Sequence, residues 1–329
     1  MLHTRFTEIF GLRYPIMSAP MAMHSGASIA AAVSSAGALG SFGGMNPSGP
    51  EWIRGEVTAV RAATDRPFAV GFITPFLQFG APLFEATLDT AVPVVMFSFS
   101  DPRPWIERAA QAGARTICQV QTLADADLAA EAGADVLVAQ GTEAGGHTGS
   151  MSLLPLLSAV VARHPDIPVL AAGGITAGPA LAAALTAGAD GAVLGTAFLA
   201  TPEAVQVRDV HKDLIVASDG GDTVRTRAFD IVSGLPWPES IGERVRRNRF
   251  TAEWDEREAE LTERREEFAG QNPFLVEDPN PETEPMAYGQ GAGSIDAVRP
   301  AAEVLERICG AAEQILRSRP PALLGTDAR

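Results

Sequence analysis

Four times in its first 200 residues the chain ends an alanine-rich stretch on a turn of small residues built around glycine. The four are Ser35-Ala36-Gly37-Ala38, Ala112-Gly113-Ala114, Ala132-Gly133-Ala134-Asp135 and Ala187-Gly188-Ala189-Asp190. Each is followed by a short apolar run. A glycine just past a helix end supplies the left-handed residue of a C-cap, and the apolar run after it reads as a buried strand. Helix, glycine cap and strand make the second half of a βαβ unit, and repetition of that unit implies a parallel sheet.

Eight strands are expected, near residues 14–18, 38–42, 68–73, 92–97, 115–118, 135–139, 168–172 and 191–195. They are short and apolar without alternation, as strands covered on both faces should be. Eight such strands in this length suit a (β/α)8 barrel, a TIM barrel, over residues 1–200. An open doubly wound sheet is the alternative. Against it, no GxGxxG follows the first strand, and GxxxxGK[ST] is absent.

From residue 201 the composition changes. Residues 239–267 are dense in charge of both signs, with Trp254, Leu261 and Phe268 at roughly helical spacing, and read as one or two amphipathic helices with a solvated charged face. Residues 272–287 read as a long loop. Residues 296–318 read as a helix with Val298, Ala302, Leu305, Ile308, Ala312 and Ile315 on one stripe, returning to the barrel wall. The last eleven residues are expected to fray. This divides the chain into a barrel (1–200), a mostly helical covering domain (201–292) and a C-terminal helix (293–329).

A formal net charge of −15 and the lack of a basic stretch argue against nucleic-acid binding. No apolar run is long enough to span a membrane, and no N-terminal stretch has the pattern of a leader. Cys118 and Cys309 are too few and too far apart for a disulfide framework, which fits a reducing cytoplasm. No two of the five histidines have metal-ligand spacing, so no metal is expected.

Ligands of such barrels sit at the C-terminal strand ends. The seventh strand runs into Gly173-Gly174-Ile175-Thr176 and the eighth into Gly195-Thr196-Ala197, two glycine-containing helix starts. Together they read as an anion cradle suited to a phosphate, or else as two short βα turns. The sixth strand runs into Gln140-Gly141-Thr142-Glu143-Ala144-Gly145-Gly146-His147. A glycine run there leaves room for a flat ring, and His147, with little to pack against, is expected to face it. His24 is a weaker candidate, and His3, His164 and His211 read as surface residues. Ser18-Ala19-Pro20-Met21 ends the first strand, where Met21 serves either as core filler or as cover for one face of a ring.

These residues together resemble the nitronate monooxygenase family, formerly called 2-nitropropane dioxygenase. The resemblance rests on Pro15–Met21, Ala139–His147, Ala172–Ile175 and Gly195–Leu199. Trp237-Pro238, Arg247-Asn248 and Tyr288-Gly289-Gln290-Gly291-Ala292-Gly293 add to it. It implies an FMN-binding barrel with a second, mostly helical part covering the flavin. By that resemblance Ala19, Pro20 and Met21 line the isoalloxazine, and Gln140, Gly145 and Gly146 contact the flavin and its ribityl region. Gly173, Gly174, Gly195 and Thr196 hold the phosphate, and His147 is the catalytic base. The implied reaction takes alkyl nitronates and O2 to carbonyl compounds and nitrite, and a homodimer is left open. As a base, His147 takes the α-proton of a neutral nitroalkane; as imidazolium, it stabilises a bound nitronate.

Two departures stand out. Many members carry an asparagine at the end of the third strand where this chain has Gly71, and Gln119 stands where some relatives have lysine. Flavin-dependent enoyl-ACP reductases and NAD(P)H:quinone reductases resemble the chain at the same positions, so a nicotinamide-dependent flavin reductase is the rival. A barrel that binds a sugar phosphate without redox chemistry is a second.

Overall fold

The computed structural model describes residues 2–268 and 280–324. Eight parallel strands follow one another round a barrel: β1 (Ile16–Ser18), β2 (Gly40–Gly43), β3 (Phe68–Ile73), β4 (Val94–Ser98), β5 (Arg115–Val120) and β6 (Val136–Gln140). After a short excursion, β7 (Gly146–Thr148), the series resumes with β8 (Val169–Ala172) and β9 (Gly191–Leu194). β1 pairs with β9, and neighbours in the series pair in parallel from β2 through to β9. The four cap glycines, Gly37, Gly113, Gly133 and Gly188, all take left-handed φ values, as the repeat requires.

The ring closes between β1 and β2 through a single parallel bridge, Met17 to Leu39. Side chains reinforce that seam. Ser41 N donates to Ser18 Oγ at 2.7 Å, and Ser41 Oγ donates to the Ser18 carbonyl at 2.5 Å. The two hydroxyls supply hydrogen bonds beyond the single bridge, and they settle the choice between barrel and open sheet.

Each strand buries both faces. Met17, Leu39, Met96, Ile117, Val138, Leu170 and Val193 belong to an inner cluster floored by Phe6, while Ile16, Phe42, Val95, Leu137 and Val169 face the surrounding helices. Phe6 comes from the helix Arg5–Phe10, which Thr4 caps. Arg5 pins that helix by donating from Nε and an Nη to the Asp190 carboxylate, at 2.9 and 2.7 Å.

A second, three-stranded antiparallel sheet lies over the C-terminal strand ends. Its order is β10 (Thr223–Thr226), β11 (Gly242–Arg246) and then β7. Strand β11 corrects the helical expectation for part of residues 239–267; α-helices occupy Arg249–Trp254 and Glu258–Glu263, and a 3-10 helix occupies Arg265–Phe268. The charges were misleading, since Glu243 and Arg244 are buried rather than solvated. Pairing on both sides explains it: Arg244 donates from Nε to the Thr142 carbonyl and from an Nη to Thr223 Oγ1.

The C-terminal helix runs Ala301–Leu324, starting after Pro300 and not at 296. Val298 and Ala302 are therefore exposed, and Ala301 begins the buried stripe. This helix packs on helices Gly178–Thr186 and Ala27–Ala36, and it continues into the segment expected to fray. Residues 272–279 of the expected loop and 325–329 of the expected tail lie outside the described residues. Among the described residues no helix is long and apolar enough to cross a membrane.

Candidate active site

The turn after β6 reaches the covering sheet within six residues, and this places His147. β7 pairs with β11 in the register Gly146–Arg244, His147–Glu243 and Thr148–Gly242. Thr148 Oγ1 donates to the Gly141 carbonyl at 3.0 Å. Gln140, buried at the end of β6, donates from Nε2 to the His147 carbonyl at 3.1 Å and accepts from Gln121 Nε2 at 2.9 Å. Gln140 thus braces the histidine backbone.

The imidazole is packed, contrary to the expectation of an open setting. Its ring stacks on Trp237 with centroids 3.6 Å apart and planes 12° from parallel. Its Nε2 lies 2.9 Å from Oδ1 of Asp230, whose side chain is buried. With Asp230 ionised, Nε2 carries the proton and a neutral ring has its lone pair on Nδ1. Asp230 comes from the helix Ala228–Ser233, and neither it nor Glu243 belongs to any motif legible in the sequence.

Trp237 is itself wedged. Phe76 and Phe99 meet it edge-on at 4.8 and 5.2 Å, and Ile241, Ile73, Met45 and Leu235 complete an apolar wall. Phe99 holds φ at +78°, a region costing a bulky residue of the order of 1–3 kcal/mol. The packing of its ring between Trp237 and His147 opposes that strain.

Across the mouth, the glycines expected to hold an anion lie together. Gly173 and Gly174 take φ values of 107° and 68°. Among the described residues, the N–H groups of Gly174, Ile175 and Gly195 donate to no protein acceptor. A Cβ on Gly195 would stand 3.6 Å from both Ala19 Cβ and Met21 Sδ, so the ends of β1 and β9 converge. The strap Tyr288–Gly293 closes over this region. Gly289 N donates to Thr196 Oγ1 at 2.9 Å, and Thr176 Oγ1 donates to the Gly291 carbonyl at 2.6 Å. Gly145 is required by that strap, because a Cβ there would meet the Tyr288 carbonyl carbon at 2.4 Å.

The strand-end residues expected to form the site therefore share the C-terminal mouth. At Gly71 a Cβ would meet the ring of Pro20 at 2.2 Å, so a side chain fits at this position only if Pro20 moves. His24 packs against His211, ring centroids 5.6 Å apart. His211 is buried, not on the surface, and its Nε2 meets the Ala287 carbonyl at 3.0 Å. His164 is partly buried beside Asp127, at 3.0 Å.

Fold and mouth together define a (β/α)8 barrel whose C-terminal mouth is covered by a second sheet. The nitronate monooxygenase family model matches residues 3–82 and 77–311. The chain belongs to the nitronate monooxygenase family, a family of oxidoreductases. It is 34% identical over 237 residues to (3aS,4S,5R,7aS)-5-hydroxy-7a-methyl-1-oxo-octahydro-1H-indene-4-carboxyl-CoA dehydrogenase of Mycobacterium tuberculosis, covering 71% of this chain. The chain spans 65% of that relative's length. It is 34% identical over 272 residues to nitronate monooxygenase npaC of Metarhizium robertsii, covering 74% of each. Among solved structures it superposes on FabK from Thermotoga maritima with a TM-score of 0.86 at 31% identity, covering 98% of this chain and 100% of the other. On nitroalkane oxidase from Streptomyces ansochromogenes the TM-score is 0.76 at 30% identity, covering 96% and 99%.

Proposed function

We propose that this protein is an FMN-dependent nitronate monooxygenase that oxidises alkyl nitronates with O2 to carbonyl compounds and nitrite. The observation that carries the reading is the juxtaposition, on one barrel mouth, of a part-buried His147–Asp230 couple with a cluster of undonated backbone N–H groups. Those N–H groups, at Gly174, Ile175 and Gly195, suit a phosphate without any lysine. In this reading Gly173, Gly174, Gly195 and Thr196 hold the FMN phosphate. Ala19, Pro20 and Met21 line the ring system, and Gln140, Gly145 and Gly146 border it. Bound FMN supplies the two-electron acceptor that side chains lack.

The protein's own part is proton handling and exclusion of water. His147 takes the α-proton of a nitroalkane on Nδ1 while Asp230 holds Nε2–H and balances the imidazolium that results. With a preformed nitronate the same imidazolium stabilises the substrate anion. Trp237, Phe99, Phe76 and Ile241 form the dry wall beside it. Residues 201–292 serve as the covering domain and 293–329 as its return to the barrel.

Anaerobic mixing tests the reading. Ethyl nitronate should discharge the visible flavin absorbance of the purified protein, and NADH or NADPH alone should not. Discharge by NADH or NADPH without a nitronate overturns it in favour of a flavin reductase. Protein that retains no yellow chromophore at all overturns the cofactor assignment.

A further inference from the structure

Two carboxyl groups lie beside His147, and the proposed reaction uses only part of one. Asp230 presents Oδ1 to the imidazole, while its Oδ2 is buried without a hydrogen-bond partner. Glu243 stands opposite His147 in the β7–β11 ladder, so the two side chains share one face of that sheet. Glu243 is 5% exposed, and among the described residues its Oε2 also has no hydrogen-bond partner. Burial, reinforced by the charge of Asp230, pushes its pKa well above the usual carboxyl value.

Among the described residues, no lysine or arginine is paired with these carboxyls. On β10 the residue opposite Glu243 is Thr226, which is uncharged. Arg225 and Arg244 pair on the other face of the sheet. They spend their guanidinium groups on the carbonyls of Thr148, Ser240 and Thr142 and on Thr223 Oγ1. Arg227 turns to Glu258. Two buried like charges in such a place are strongly disfavoured, so the pair keeps a proton.

We propose that Asp230 and Glu243 are a carboxyl pair of single negative charge that positions His147. Asp230 is the anion that fixes the imidazole proton on Nε2, and Glu243 is the uncharged acid that limits the pair to one negative charge. The inference rests on His147 acting as base in the proposed function. When Nδ1 takes the substrate proton, the imidazolium meets one counter-charge. An ionised Glu243 would add a second, and the imidazolium would then hold its proton too firmly to pass it on. Both acids act through His147, and neither is assigned contact with substrate.

Side-chain 15N NMR of the histidines in the purified protein tests this without reference to turnover. In the wild type His147 is expected as the Nε2–H tautomer, with a bend in its ring shifts on the alkaline side as Glu243 ionises. Asp230→Asn offers an amide N–H to Nε2 and should move the population towards Nδ1–H. Glu243→Gln should keep the tautomer and remove the bend, and Glu243→Asp should restore it. An unchanged tautomer in Asp230→Asn, or a bend that survives Glu243→Gln, overturns the proposal. With nitroethane and O2, Asp230→Asn should lose about a hundredfold in kcat with KM little changed; a loss confined to KM overturns the positioning role. If the NMR results hold and no variant or wild type oxidises nitroethane, the carboxyl pair stands and the substrate reading falls.

Discussion

The indole of Trp237 lies flat against the imidazole of His147, 3.6 Å away, and fixes the plane of that ring. Trp237→Leu removes the stack and opens a gap between Phe76 and Phe99. The expected result is at least a tenfold fall in kcat on a neutral nitroalkane, from a misoriented base. Stability should also fall, by about 2–3 kcal/mol for the lost aromatic packing. Steady-state rates and urea midpoints check both, and Trp237→Phe should recover most of the rate.

The strap is held off or let down by one missing side chain. Gly145→Ala puts a Cβ 2.4 Å from the Tyr288 carbonyl carbon and 2.5 Å from Gly289 N, both backbone atoms that cannot turn aside. The strap must then lift, losing the Gly289–Thr196 hydrogen bond. Flavin retained per chain after gel filtration should drop severalfold, with an unchanged far-ultraviolet spectrum. Full retention would place the strap outside the cofactor site.

Acid sensitivity should trace to His211. Burial, aided by the charge of His24, pushes its pKa down to about 4. A depressed histidine contributes stability that is complete above about 6.5 and is lost as the pH falls towards 4, because unfolding lets the ring take a proton. The loss amounts to about 3 kcal/mol over that window. His211→Gln keeps a donor for the Ala287 carbonyl and does not titrate, so its Tm should change less between pH 6.5 and 4 than that of the wild type.

Glu243 gives the opposite slope. Its raised pKa means the folded state holds a proton that the unfolded chain releases near the ordinary carboxyl value. Its contribution is present in acid and is lost as the pH rises through the folded pKa. Glu243→Gln mimics the protonated acid at every pH, so its Tm advantage over the wild type should widen from pH 5 upward. A constant difference would show that Glu243 does not titrate in the fold.

Much of the barrel was legible because each strand is a continuous apolar run reached through a glycine cap, a local signal at both ends. Closure was not, since it depends on Met17, Leu39 and the Ser18–Ser41 pair meeting across the seam. Strand β11 was hidden because burial of Glu243 and Arg244 depends on β7, a partner far back in the chain, and charge density reads as a solvated surface. The glycines and His147 stood out through composition against a strand end. Asp230, 83 residues beyond the histidine it holds, had no local mark, and Gln140 was recognised without its role as a brace for the His147 carbonyl. His211 read as a surface residue because its burial depends on His24 and the strap, neither adjacent in sequence.

In the proposed reaction His147 removes a carbon-bound proton. Nitrite release by His147→Asn, measured side by side with nitroethane and with preformed ethyl nitronate under O2, tests it most directly. Activity on the nitronate should stay within about tenfold of wild type, and activity on neutral nitroethane should fall by at least about a hundredfold. Equal losses on the two substrates would contradict it.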